Sequence, residues 1–267
     1  MNMATLTDKE FIQFKELIYK IAGISLSVAK KPLVSGRLAG RLKQHNLSNY
    51  TDYFKLLTGG NYPDEMQIAV NLLTTNETYF FREPKHFDFL RDKILPQHRA
   101  GQAFRVWSAA SSSGQEPYSI AMMLADRLSG QWEMVASDIS TRVLEKARTG
   151  HYPLEQAEHI PKNYLSNYCL KGVGSQIGSF LIERGLRQRI DFRQVNLNMT
   201  LPQLGEFDLV FLRNVMIYFD TETKRQVVQR IVGQIKSGGY LFIGHSESLN
   251  GVVDNFQIIQ PAIYRKP

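Results

Sequence analysis

Apolar residues recur at helical spacing through the first quarter of the chain. After it they gather into short continuous runs separated by helical stretches. Phe11, Phe14, Ile18 and Ile21 fall on one helical face, the spacing of an amphipathic helix. Thr7-Asp8-Lys9-Glu10 stands before them as a capping box, with the threonine hydroxyl and the glutamate satisfying free amides in turn. Gly23 suits the C-terminal stop. The same reasoning predicts helices over residues 29–45, 48–57 and 63–73, the third ended by Gly59-Gly60 and the last opened by Pro63. No strand-like alternation interrupts them. Residues 1–75 are therefore expected to form an all-helical domain.

From about residue 100 the pattern changes. Phe104-Arg105-Val106-Trp107, Met134-Val135-Ala136 and residues 207–212 are short apolar runs, as is the stretch 240–244. Helical segments separate them at 117–128, at 140–148 behind Ser140 as a cap, and at 221–236 before a turn at Gly238-Gly239. Continuous apolar strands alternating with helices predict a doubly wound, Rossmann-like parallel sheet in an α/β domain. This domain is expected to cover residues 76–267. Between about 160 and 195, glycines at 172, 174, 178 and 185 punctuate short runs that include 180–182 and 189–192. That stretch is expected to be a small antiparallel β-subdomain.

Composition narrows the classes. The chain has 267 residues, 43% hydrophobic and 21% charged, which is globular and excludes disordered, collagen-like and coiled-coil chains. No apolar run approaches the ~20 residues of a membrane span. The polar start, with Asp8 and Glu10, does not suit a signal peptide. Cys169 is the single cysteine, so no internal disulfide can form, and a cytoplasmic location is expected. The net charge of +7 suggests an acidic partner.

Three constellations can carry chemistry. In the first, a strand runs into Ser108-Ala109-Ala110-Ser111-Ser112-Ser113-Gly114 and then Gln115-Glu116-Pro117. Small side chains at the carboxyl end of a strand let a ligand approach the backbone, and Asp138 at the end of the next strand is placed to hold ribose hydroxyls. The loop is neither Gly-x-Gly-x-x-Gly nor a Gly-Lys-Ser/Thr phosphate loop. An adenosine cofactor without phosphate, S-adenosylmethionine, fits best, and Glu116 is a candidate carboxylate for its positive sulfur. A tight turn followed by a capping aspartate is the plainer explanation.

The second constellation, residues 75–84, alternates polar residues with aromatics and contains Asn76, Thr78 and Arg82. It suits a cleft lining or, more simply, a linker helix with Arg82 in a surface ion pair. The third follows a buried strand with Arg213-Asn214-Val215-Met216-Ile217-Tyr218-Phe219. Val215-Met216 stand where amino N6-methyltransferases carry prolines, which argues against an adenine-stacking pocket. His245 is expected to be a structural hydrogen-bonding histidine and Cys169 a packing residue. Six scattered histidines show no metal-ligand spacing, so no metal is expected.

Several motifs occur in one order: Asn-x-Thr-x-Phe-Phe-Arg-Glu, Trp-Ser-Ala-Ala-x-x-x-Gly-x-Glu-Pro-Tyr-Ser, Ser-Asp-Ile-Ser, Val-Asn-Leu, Arg-Asn-Val-Met-Ile-Tyr-Phe and Gly-His-Ser-Glu. Together they resemble the CheR family of chemotaxis receptor glutamate O-methyltransferases over nearly the whole chain. The resemblance implies a cytoplasmic enzyme that moves a methyl group from S-adenosylmethionine to receptor glutamates, leaving S-adenosylhomocysteine. Its partners would be the cytoplasmic helices of methyl-accepting chemotaxis receptors. No specific nucleic acid and no membrane insertion are implied, and a monomer is the expected state. On matching positions, Asn76, Thr78, Arg82, Glu116, Asp138, Asn196, Leu197, Arg213 and Asn214 would bind the cofactor. Arg82 and Tyr218 would lie nearest the transferred methyl group.

The N-terminal domain adds a docking expectation. Lys20, Lys30, Lys31, Arg37, Arg41 and Lys43 fall between residues 17 and 51 with no acidic residue among them. Lys30, Arg37 and Arg41 lie along one helical face, with Leu33, Leu38 and Leu42 expected to pack inward. Such a face would steer an acidic receptor helix. Two rival classes stay open: a methyltransferase of another acidic or nucleic-acid substrate, and a non-catalytic cofactor-binding regulatory module.

Overall fold

The computed structural model describes residues 4–99, 101–253 and 256–267. The chain divides into two compact units, one running up to Thr75 with Tyr218–Lys224 added, the other Asn76–Ile217 with the remainder.

The first unit contains α1 (Asp8–Ala22), α2 (Lys31–Gln44), α3 (Tyr50–Thr58) and α4 (Pro63–Leu73). The capping box of α1 forms in both directions between Thr7 and Glu10, and Gly23 ends the helix in the left-handed conformation at φ 70°. The predicted second helix begins instead as a 3-10 turn at Val28–Lys30. The third opens at Tyr50 because Asn49, not Ser48, accepts the capping bond, from Asp52 N. Phe11, Phe14, Ile18, Val34, Leu38, Leu42, Tyr50, Tyr53 and Leu57 form the core. Val34 is the inward residue where Leu33 was expected, and Leu33 is half-buried.

A buried carboxylate ties these helices together. Glu65, 5% exposed, receives both the guanidinium of Arg41 and the hydroxyl of Tyr53, the latter at 2.7 Å, and lies 3.1 Å from His45. Glu10 joins α1 to α3 in a similar way, accepting from the Thr51 amide at 2.8 Å and the Thr51 hydroxyl at 2.9 Å.

The second unit opens with α5 (Pro84–Phe89) and continues with β1 (Phe104–Ser108), α6 (Gln115–Arg127), β2 (Trp132–Asp138) and α7 (Thr141–Thr149). Next come β3 (His151–Pro153), α8 (Lys162–Tyr168), β4 (Cys169–Lys171), β5 (Ser179–Ile182), α9 (Arg184–Gln188) and β6 (Ile190–Gln194). The chain ends with β7 (Phe207–Leu212), α10 (Thr221–Val232), β8 (Ile235–Ile243), β9 (Gln257–Gln260) and β10 (Ile263–Arg265).

The main sheet has seven strands in the order β6-β2-β1-β7-β8-β10-β9. The strands from β6 to β8 are parallel, while β10 and β9 run antiparallel. The antiparallel edge was not expected from the sequence; β9 is exposed on both sides and lacks a buried-strand pattern. The strand order reverses between β1 and β7, which opens a crevice at their carboxyl ends.

The insertion also differs from expectation. Its sheet is β3-β5-β4, starting at His151, and the run at 189–192 belongs to β6. That strand pairs parallel with β2, Phe192 opposite Ala136, so its apolar residues join the main core rather than the small sheet.

Burial pushes the Glu65 carboxyl up, but its bonds from Arg41, Tyr53 and His45 outweigh this and lower its pKa from 4.5 to about 2. An acid with a lowered folded-state pKa gives stability above the unfolded value and loses it as pH falls through the folded one. The stability gap between wild type and Glu65→Gln is therefore expected to be on the order of 3 kcal/mol at neutral pH. It should close between pH 4.5 and about 2 in thermal unfolding. A gap that stays constant over this range would show that Glu65 does not carry it.

Candidate cofactor and active site

The site is built at the carboxyl ends of β1, β2 and β7. After β1 the chain enters the small-residue loop, where Ser111, Ser112 and Ser113 are all buried. Ser112 takes a left-handed conformation at φ 49°. Its hydroxyl donates to the Asn76 carbonyl at 2.9 Å, which stitches the 76–83 segment onto the loop. Gly114 serves packing as well as access. Its φ is 97°, and an added Cβ would meet the Tyr152 hydroxyl at 2.7 Å and the Ala147 Cβ at 2.9 Å. A side chain there would collide with the protein's own core.

Asp138 ends β2. Its carboxylate accepts the Ser112 amide and the Ser140 amide, each at 2.9 Å. Burial raises its pKa against the pull of these amides and that of Ile139. The Asp138 carbonyl accepts the Val195 amide at 3.1 Å, which brings Asn196 and Leu197 to the same sheet end. Asn196 Oδ1 accepts from the Asn198 amide, and Leu197 is buried. Ser140 occupies the N-cap position of α7 but makes no side-chain capping bond.

Arg213, directly after β7, lies at the centre of a buried ion-pair group. Its guanidinium, 1% exposed, pairs with Glu116 Oε2 at 2.9 Å and Glu83 Oε2 at 3.0 Å, and also donates to the Arg82 carbonyl. Glu116 takes a further bond from the Ser108 hydroxyl at 2.7 Å. Burial outweighs these bonds and raises the pKa of Glu116. Burial also pushes Glu83 up, but the charge of Arg213, with bonds from the His245 amide and Asn214, holds it below the usual carboxylate range. Two carboxylates face one guanidinium, so the group is one negative charge in excess when both are ionised.

The segment that carries Asn76, Thr78 and Arg82 is not a helix. Phe80 and Phe81 are buried, the Phe81 amide donates to Ser119 Oγ at 2.9 Å, and Phe81 and Glu83 both have positive φ. Asn76, Thr78 and Arg82 are half-buried. Arg82 donates to the Glu77 carbonyl at 3.1 Å and lies 5.6 Å over the Tyr79 ring, in place of the surface ion pair of the simpler expectation. Tyr218 closes a 3-10 turn, and its carbonyl accepts the Ser25 amide at 2.8 Å within the first unit.

Sequence reasoning passed over Glu83, His86 and Glu247. Glu83, His86 and His245 bring ligand-type atoms within 4.8 Å of one another, a convergence that no sequence spacing reveals. Their shared atom, Glu83 Oε2, lies 3.4 Å from His86 Nδ1 and 3.9 Å from His245 Nε2 but 3.0 Å from Arg213. That places the carboxylate in the guanidinium's pairing. Burial, then the charge of Arg213, lowers the His86 pKa to about 3, so the ring is neutral at physiological pH. Cys169 is half-buried, and its thiol is pushed up to about 12 by burial, which leaves it unreactive.

Residues 76–264 match the family described as "CheR methyltransferase, SAM binding domain", and residues 9–74 match "CheR methyltransferase, all-alpha domain". The chain belongs to the CheR methyltransferase family. It is 42% identical over 265 residues to the "Chemotaxis protein methyltransferase" of Escherichia coli strain K12, covering 97% of this chain and 91% of that protein. It is 42% identical to "Chemotaxis protein methyltransferase 2" of Pseudomonas aeruginosa, covering 91% and 87%. Against the "Chemotaxis protein methyltransferase" of Borreliella burgdorferi it is 38% identical, covering 98% and 95%.

As a CheR family member the chain is an S-adenosylmethionine-dependent methyltransferase. The chemistry of its buried donor set fits that molecule. Asp138 keeps acceptor capacity for hydroxyl groups, and the Glu83-Arg213-Glu116 group offers surplus negative charge to a sulfonium.

Asp138→Ala is expected to weaken S-adenosylhomocysteine binding by about 1.5–3 kcal/mol, the value of hydrogen bonds to a charged group. Calorimetric titration measures this, and unchanged affinity would remove Asp138 from the site.

Proposed function

We propose that this chain methylates glutamate side chains on the cytoplasmic helices of chemotaxis receptors, forming glutamate 5-O-methyl esters in the cytoplasm. The observation that carries this is likeness across both domains to proteins named chemotaxis protein methyltransferases. No helix among the described residues is long and apolar enough to cross a membrane.

The chemistry supports the reading. A glutamate side chain has a pKa of ~4.3 and is ionised at pH 7, so methylation needs no general base. S-adenosylmethionine, when bound, supplies a methyl group on a positively charged sulfur. The protein's task is to align the carboxylate and exclude water. We assign Asn76, Thr78, Arg82, Glu116, Asp138, Asn196, Leu197, Arg213 and Asn214 to holding the cofactor. Glu116 and Glu83 act there through negative charge, with Arg213 fixing both. We assign Arg82 and Tyr218 to orienting the incoming carboxylate.

Docking falls to the face formed by α2 and the 3-10 turn before it, where Lys30, in the turn, and Arg37 and Arg41, in the helix, differ in kind. Lys30 is exposed. Arg37 donates to the carbonyls of Leu73 and Thr74 and to Thr75 Oγ1. Arg41 is committed to Glu65. The arginines therefore hold the helical unit together while adding to its positive field, and Lys30 is the charge free to meet a receptor helix.

One assay tests the whole reading: transfer of radiolabelled methyl from S-adenosylmethionine to receptor cytoplasmic fragments. The label is expected on receptor and lost in mild base, as an ester hydrolyses and an N-methyl base does not. Arg82→Ala and Tyr218→Phe should lower turnover more than S-adenosylhomocysteine affinity, and Lys30→Glu should lower the rate at low salt only. Base-stable label, or label on nucleic acid alone, contradicts the substrate assignment. Absence of transfer with cofactor bound supports the regulatory-module alternative.

A further inference from the structure

The carboxylate of Glu247 lies among backbone amides rather than against a charged side chain. Glu247 Oε2 accepts the Asn214 amide at 2.9 Å and the Gly244 amide at 2.6 Å, and Oε1 accepts the Ile217 amide at 3.2 Å. The Met216 amide also bonds to it. Four donors from two chain segments thus converge on one half-buried carboxylate. They come from the end of β8 and from the turn after β7, the turn that begins with Arg213 and Asn214.

Asn214 has φ 56°, a left-handed conformation that asparagine tolerates better than other residues with a Cβ but that still competes with ordinary backbone conformations. Its Nδ2 lies 3.3 Å from Glu83 Oε1, so the constraint reaches the Glu83-Arg213 pair. Gly244 is part of the same device. A Cβ there would stand 2.6 Å from Asn214 Nδ2 and 2.8 Å from Glu247 Oε2. It would also stand 3.1 Å from the Asn214 backbone nitrogen, so it could enter only by displacing the Asn214 and Glu247 side chains.

We infer that Glu247 is a positioning residue of the methyl-transfer site, an internal anion that holds Asn214 in its left-handed conformation so that Arg213 and Asn214 face the cofactor. This rests on the assignment of Arg213 and Asn214 to cofactor binding. A carboxylate suits the task because it accepts on both oxygens. The glutamine amide offers one acceptor oxygen and turns an NH2 toward backbone donors.

Without the anchor, Asn214 would relax toward ordinary backbone conformations and only a fraction of molecules would be competent to bind. Apparent affinity falls by that fraction. A loss of about five- to thirtyfold is expected, the equivalent of roughly 1–2 kcal/mol at 1.4 kcal/mol per tenfold, on the order of one hydrogen bond to a charged group.

The test uses the full chain, with S-adenosylhomocysteine titration and steady-state kinetics at varied S-adenosylmethionine. In Glu247→Gln, Kd and the cofactor KM should rise together by about five- to thirtyfold, with kcat at saturation changed by less than about threefold. Ser246→Ala, an exposed neighbour, should match wild type. Gly244→Ala crowds the same contacts with the carboxylate intact and should reproduce the shift, which provides a second route if the glutamine variant folds poorly. Wild-type Kd and KM in both variants, or a loss of thermal stability alone, would overturn the inference. A wild-type chain that fails to bind S-adenosylhomocysteine would overturn the cofactor assignment itself and this inference with it.

Discussion

A charged guanidinium with 1% exposure is costly to bury without partners, and Arg213 has two, Glu83 and Glu116. Arginine does not shed its proton to escape burial. Removing one member of a buried ion pair leaves an uncompensated charge at about 3–5 kcal/mol. The three residues are therefore mutually obligatory. They come from three separate segments: the coil before α5, the first turn of α6 and the end of β7. Pairing them fixes those segments relative to each other at the crevice where the strand order reverses.

Backbone strain gathers around this group. Phe81, Glu83, Ser112 and Asn214 all have positive φ, although none is glycine. Each is held by a specific bond. The Phe81 amide reaches Ser119, Ser112 bonds Asp138 and Asn76, Glu83 pairs with Arg213, and Asn214 hangs on Glu247. Such conformations persist where surrounding contacts over-determine them. The result is a rigid end of the crevice, while the orienting task proposed for Arg82 falls to a half-buried side chain. In the proposed site, two carboxylates to one guanidinium would favour a positively charged sulfur over a neutral one.

Much of this was legible in the sequence because it depends on local pattern. The α1 capping box, Gly23, Pro63 and the continuous run 207–212 each specify an element through interactions within a few residues. Asp138 could be placed because strand ends in an open sheet have a known relation to ligands. What escaped depends on contacts distant in sequence. The 189–192 run resembled part of the insertion until its pairing with β2 was seen, and β9 carries no buried pattern to read. The basic stripe of α2 looked uniform, yet Glu65 and the end of α4 claim Arg41 and Arg37. Glu83 and Glu247 gave no signal of their own, because their partners lie 130 and 33 residues away, at Arg213 and Asn214.

The central claim is that the Glu83-Arg213-Glu116 group organises both the fold of the crevice and its affinity for the cofactor. The most direct measurement is the paired stability and S-adenosylhomocysteine affinity of Arg213→Met, alone and combined with Glu116→Gln. The account predicts that Arg213→Met loses about 3–5 kcal/mol of unfolding free energy together with most of its cofactor affinity. Adding Glu116→Gln should restore part of the stability, because it removes a carboxylate left without its partner, but not the affinity. An Arg213→Met chain as stable as wild type, with S-adenosylhomocysteine bound equally tightly, would contradict it.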